Sequence, residues 1–210
     1  MTASLLSFPI SVHAAASAAP TLLVFGDSLS AGYGLTPGSG WVNLLEQRMK
    51  SAGYAYRIVN ASVSGETTAG GATRIEAALR EHRPAIIVIE LGGNDGLRGL
   101  PIEQMRKNLA AIIETSERRG AEPILLGMRL PPNYGTSYTT KFQDMYSGLA
   151  RRYKIPLVPF LLERIAARAD YFQLDMVHPT AAAQSLILEE VWTHLEPVLR
   201  ARQNKQRQKV

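Results

Sequence analysis

The sequence predicts an α/β fold, a three-layer α/β/α sandwich on a five-stranded parallel sheet, doubly wound in the flavodoxin manner. Three observations predict it. Five short apolar runs alternate with longer segments of helical period. Parallel strands joined this way need crossover helices on both faces of the sheet. Finally, 210 residues at 46% hydrophobic suffice for one core, with no internal repeat and no interdomain linker.

In order, the apolar runs at residues 22–26, 56–60, 85–91, 123–128 and 157–160 read as strands. Helical periodicity fills 41–51, 70–81, 102–119 and 139–153, and a last helix is expected from 180 to about 200. One domain is therefore expected over 21–199, between a leader at 1–20 and a basic tail at 200–210. In a sheet of this kind ligands bind beyond the carboxyl ends of the strands, so the residues just after each strand are where chemistry should gather.

The chain has no cysteine, which excludes disulfides, thiolate zinc sites and thiol nucleophiles. Its net charge of +5 is carried by Arg200, Arg202, Lys205, Arg207 and Lys209. The body is thus balanced, at 18 basic and 18 acidic residues, and offers no basic face for nucleic acid. The tail is expected to be solvated and disordered, with contact to an anionic membrane surface as its alternative role.

The first residues read as a processing segment. Residues 5–12 are mostly apolar, and Val12-His13-Ala14 or Ala16-Ser17-Ala18 supplies the small residues that signal peptidase accepts. Neither Lys nor Arg precedes this stretch, so the true start is expected upstream of Met1. Export to the periplasm or beyond is the expectation. Elsewhere no run reaches the roughly 18 apolar residues that a spanning helix needs.

The strand ends carry the motifs. After the first strand comes Gly26-Asp27-Ser28-Leu29-Ser30, then a glycine-rich turn through Gly32 and Gly34. Ser28 alone reads equally well as a cap of the following turn. After the second strand, Gly65 in Ser64-Gly65-Glu66 can aim its amide outward or simply serve a turn of positive φ. After the third, Gly92-Gly93-Asn94-Asp95 presents a side-chain amide, although alone it is an ordinary Asx turn. Near the end, Asp175-Met176-Val177-His178-Pro179 places a carboxylate and an imidazole three residues apart. His13, His82 and His194 have no such neighbours and read as structural.

A serine hydroxyl becomes a nucleophile when an imidazole accepts its proton, and a carboxylate on the other ring nitrogen holds the imidazole in the right tautomer. Ser28, His178 and Asp175 fill those roles. The Ser28 and Gly65 amides and the Asn94 side chain would stabilise the oxyanion.

Together, Gly26-Asp27-Ser28-Leu29, Gly65, Gly93-Asn94-Asp95 and Asp175 with His178 resemble the four blocks of the SGNH, or GDSL, hydrolases, in order, over residues 22–199. Residues 26–33, 60–65, 90–100 and 129–135 are similar to the subgroup of acyl-CoA thioesterase I, lysophospholipase L1 and arylesterase. The resemblance implies hydrolysis of acyl esters, thioesters and lysophospholipids through an acyl-enzyme on Ser28, without metal or cofactor, by a periplasmic monomer of a Gram-negative bacterium. Glu66 departs from it, because the subgroup more often carries aspartate there.

Residues 96–101 resemble the subgroup's mobile loop, which makes Leu97 and Leu100 lipid-facing candidates. Leu130, Pro131 and Tyr134 lie on the same rim and are expected to extend an acyl groove or to pack a loop. Two alternatives stay open at this stage. One is an SGNH acetylesterase acting on carbohydrate; the other is a noncatalytic flavodoxin-like binding module, which the absence of any G-x-G-x-x-G or P-loop pattern disfavours.

Overall fold

The computed structural model describes residues 19–208, so all but the last two residues of the expected leader lie outside the described residues. Strand β1 (Thr21–Gly26) is buried along its whole length, as an apolar run in the middle of a parallel sheet must be. Then follow α1 (Ser28–Ala31), α2 (Trp41–Ser51), β2 (Arg57–Asn60), α3 (Thr68–His82), β3 (Ile86–Glu90), α4 (Gly93–Leu97) and α5 (Ile102–Arg118). The chain continues through β4 (Glu122–Leu126), α6 (Thr136–Tyr153), β5 (Leu157–Val158) and α7 (Gln184–Arg207).

All five strands are parallel, in the order β2-β1-β3-β4-β5. The winding reverses between β1 and β3, and the crevice above those two strands is where such sheets bind ligands. Helices α2 and α7 pack together on one face; α3, α5 and α6 cover the other. Core side chains such as Leu22, Phe25, Ile87, Ile89 and Leu125 fill the space between the layers. Among the described residues no helix is long and apolar enough to cross a membrane.

Three differences from the sequence expectation have physical causes. β5 stops at Val158, because Pro159 has no N–H for the ladder. The short helices α1 and α4 stand directly at strand exits, too brief to show a period in sequence. The basic tail is helix rather than disorder as far as Arg207: no Gly or Pro interrupts residues 200–207, Lys205 and Arg207 suit a helix carboxyl end, and Arg202 pairs with Glu122 at 2.8 Å.

Candidate active site

The three rim segments meet at the β1–β3 crevice. Asp27 caps α1, its Oδ1 accepting from Leu29 N at 3.0 Å, so the capping role falls to Asp27 and leaves the Ser28 hydroxyl free. Ser28 is the first helical residue, where a backbone N–H has no intrahelical partner. Its side chain meets His178, with Nε2 at 2.8 Å from Oγ. On the other side of the ring, Nδ1 lies 2.7 Å from Asp175 Oδ2.

The loop that carries His178 is built by Asp175 as much as by the backbone. Asp175 Oδ1 accepts from Val177 N at 2.9 Å and from His178 N at 3.0 Å, with Met176 between them at φ 57°. Gln173 N donates to His178 O at 2.8 Å, and Phe172 bridges to Pro179, closing the loop at its base. Those hydrogen bonds, the His178 amide first, hold the Asp175 carboxyl down to about 2 from its ordinary 3.8. An ionised Asp175 can only accept, so Nδ1 of His178 carries the hydrogen and Nε2 is left to accept from Ser28 Oγ–H.

Asn94 enters from α4. Its Nδ2 donates to Asp27 Oδ2 and to Glu66 O, both at 3.0 Å, and two acceptors on that side fix the amide orientation. The β1, β2 and β3 loops are thereby tied into one rim. Gly65, at φ 80°, sits in the turn before α3, where nothing would crowd a Cβ, so the conformation and not the space calls for glycine. Glu66 pairs with Arg74 and accepts from Thr67 N at 3.1 Å, which keeps this departure from the subgroup in the wall of the loop.

Sequence reasoning missed Tyr33 and Gln173. The Tyr33 ring lies 4.5 Å from that of His178, and Gln173 Nε2 donates to Tyr33 O at 2.9 Å and Pro179 O at 3.1 Å. Both hold the histidine loop against the serine loop across 140 residues of chain, a link without a local signal.

An apolar groove of about 510 Å³ opens at Gly93 and Leu97 of α4. Leu97, Leu130 and Pro131 line it, together with Met128, Phe160, Leu162 and Phe172. Leu100 and Tyr134 do not. Leu100 borders a separate cavity of about 800 Å³ between α5 and α6, and the Tyr134 hydroxyl donates to Leu97 O at 2.9 Å, bracing the loop from behind. Leu97 and Leu100, three residues apart, thus border different cavities.

The sequence matches the GDSL-like lipase/acylhydrolase family over residues 24–186. The chain belongs to this family. It is 50% identical to Esterase TesA of Pseudomonas aeruginosa over 183 residues, which cover 87% of this chain and 91% of that one. It is 40% identical to the thioesterase 1/protease 1/lysophospholipase L1 of Escherichia coli over 184 residues, 88% of this chain and 87% of that one. Among solved structures, the psychrotrophic esterase EstA from Pseudoalteromonas sp., inhibited by monoethylphosphonate, superposes with a TM-score of 0.82 at 37% identity, covering 86% of this chain and 98% of that one. Membership makes this GDSL chain a serine-dependent acylhydrolase and disposes of the noncatalytic binding module.

Proposed function

We propose that the chain hydrolyses esters and thioesters of acyl chains, lysophospholipids included, with Ser28 as nucleophile, His178 as its base and Asp175 as the group that orients the base. The observation that carries this reading is the continuous relay from Asp175 Oδ2 through both ring nitrogens of His178 to Ser28 Oγ, at 2.7 and 2.8 Å. Ser28 Oγ attacks the acyl carbonyl as Nε2 takes its proton, and the leaving alcohol or thiol receives that proton. Water activated by the same nitrogen then releases the acid. The Ser28 and Gly65 amides and Asn94 Nδ2 stabilise the oxyanion in both halves. For Asn94 this means that one N–H, held by Glu66 O in the free enzyme, turns to the substrate oxygen.

The apolar groove takes the acyl chain, which favours this substrate class over acetylated carbohydrate, and the names of the relatives agree with it. Treatment with a p-nitrophenyl alkylphosphonate, digestion and mass spectrometry test the nucleophile; a label anywhere but Ser28 would refute it. Asn94→Ala is expected to lower kcat by about a hundred- to a thousandfold with KM little changed, the usual loss of one oxyanion donor. Steady-state kinetics on p-nitrophenyl butyrate and palmitoyl-CoA measure it.

Exposed apolar side chains stand on the segments that follow the strands: Tyr33, Val63, Leu97 at the end of α4, and Leu174, Met176 and Val177 of the histidine loop. Leu97, Met176 and Val177 also line the groove, so an acyl chain can slide in from a lipid aggregate without crossing polar surface. Contact with such a surface is part of the proposal, as is export by the leader. Leu174 is fully exposed and lines no part of the groove. Leu174→Gln is therefore expected to leave turnover of a soluble ester unchanged while hydrolysis of lysophospholipid in anionic vesicles falls by roughly tenfold, about the transfer energy of one leucine. Equal rates on vesicles would remove the surface contact from the proposal.

A further inference from the structure

Beneath the nucleophile turn lies a carboxyl that the acyl-transfer cycle does not use. Glu90 ends β3, in register with Gly26 of β1, and is wholly buried. Its Oε2 accepts from Asp27 N at 3.2 Å and from Ser30 Oγ at 2.8 Å. Its Oε1 is buried with no hydrogen-bond partner, and no cation pairs with Glu90 among the described residues.

A charged carboxylate in that position would be costly, so the group is held as the neutral acid. Burial pushes its pKa well above the usual carboxylate range, and the nearby Asp27 charge pushes the same way. Asp27 itself is raised to about 6, chiefly by burial. As a neutral acid, Glu90 offers Oε2 as a carbonyl oxygen to both donors.

The bonds form a chain with Ser28 at its centre. Glu90 anchors the residues on either side of the nucleophile, Asp27 through its backbone N–H and Ser30 through its hydroxyl. Asp27 then anchors Leu29 N through Oδ1 and Asn94 Nδ2 through Oδ2. Gly26 makes room for it: a Cβ there would lie 2.6 Å from Glu90 Oε2 and 2.9 Å from Ser30 Oγ. Its φ is not positive, so this glycine of the Gly-Asp-Ser motif serves close approach rather than backbone shape.

We propose that Glu90 is a positioning residue for acyl transfer: its buried carboxyl fixes the turn carrying Ser28 and, through Asp27, the amide of Asn94, so that nucleophile and oxyanion donor keep one geometry. The proposal rests on Ser28 being the nucleophile. A glutamate kept only to fill space would be replaceable by an apolar residue of similar size at little loss of activity.

Two variants separate these roles. In Glu90→Gln the amide oxygen can accept the same two bonds, and kcat for p-nitrophenyl butyrate is expected within about threefold of wild type. In Glu90→Leu both donors lose their acceptor; kcat and the rate of Ser28 phosphonylation are expected to fall by about a hundredfold, the cost of a displaced nucleophile, while KM stays within about twofold. A kcat for Glu90→Leu within threefold of wild type overturns the proposal, and so do equal losses in both variants. Should Glu90→Leu fail to fold, Gly26→Ala replaces it. That variant pushes the carboxyl aside without removing it, and is expected to lower kcat at unchanged KM; a wild-type kcat there overturns the proposal. Ser28→Ala is measured alongside. Its full turnover would overturn the nucleophile assignment and this proposal together, whereas an inactive Ser28→Ala beside a fully active Glu90→Leu overturns this proposal alone.

Discussion

Ser28→Ala is expected to lower kcat on p-nitrophenyl esters and on palmitoyl-CoA by about five to six orders of magnitude, to a residue that oxyanion donors and binding alone supply. The substitution is well isolated. Among the described residues the Ser28 hydroxyl bonds only to His178 Nε2, at 2.8 Å. The turn around it is held by other groups, through Asp27, Ser30 and Glu90. Alanine keeps the backbone N–H, so one oxyanion donor survives, and the apolar groove is untouched. Folding and acyl-chain binding should therefore persist while the acyl-enzyme cannot form. Stopped-flow burst amplitude and labelling by a phosphonate should both vanish in the variant. A surviving burst would move the nucleophile elsewhere, and Ser30 could not take its place, because its hydroxyl is committed to Glu90 at 2.8 Å in a buried position.

Much of this site was legible because its parts sit at punctuation. Ser28 and Asn94 follow apolar runs closely, beside glycines, Gly65 stands in the loop after the second run, and parallel winding brings all strand exits to one edge. His178 was legible through its neighbour: an acid three residues before an imidazole can close the short Asx turn seen here. What sequence could not supply was the choice between capping and catalysis at Ser28, since both use a hydroxyl at a helix start. The structure separates them by giving the cap to Asp27.

Other parts depend on contacts between distant segments and left no local trace. Met128, Phe160 and Phe172 form groove walls, yet in sequence they read as strand ends and loop residues like any others. Leu100 read as a partner of Leu97 because both stand in the stretch that resembles the subgroup's mobile loop, and only the path of that turn shows that they border different cavities. Glu90 falls inside the run read as the third strand, and nothing local marks it: the helix turn of the serine loop folds over it and buries it completely. The tail misled through charge: five cations without an acid suggested disorder, but two of them, Lys205 and Arg207, suit the last turn of a helix that had already begun at Gln184.

Asp175→Asn is expected to lower kcat by about three to four orders of magnitude, with the loop around it intact. The two carboxylate oxygens do separate work, and this substitution divides them. Oδ1 accepts the amides of Val177 and His178, and a side-chain amide oxygen can accept the same pair, so the left-handed turn at Met176 should hold. Oδ2 faces His178 Nδ1 at 2.7 Å, and an NH₂ in its place would present a donor to a donor. The ring would answer by moving its hydrogen to Nε2, which then faces Ser28 Oγ as a donor and can no longer take its proton. Loss of negative charge adds to the effect, because the imidazolium formed during attack would have no counterion at Nδ1. Asp175 is partly exposed, which screens that second effect but not the first, since the tautomer is set by direct contact. The tautomer effect does not respond to salt, so the deficit of Asp175→Asn should persist at high ionic strength. Kinetics at low and high salt, with ¹⁵N shifts of the His178 ring to report the tautomer, measure both. A loss below tenfold with the hydrogen still on Nδ1 would mean that Tyr33 stacking and the loop backbone orient the ring without the carboxylate.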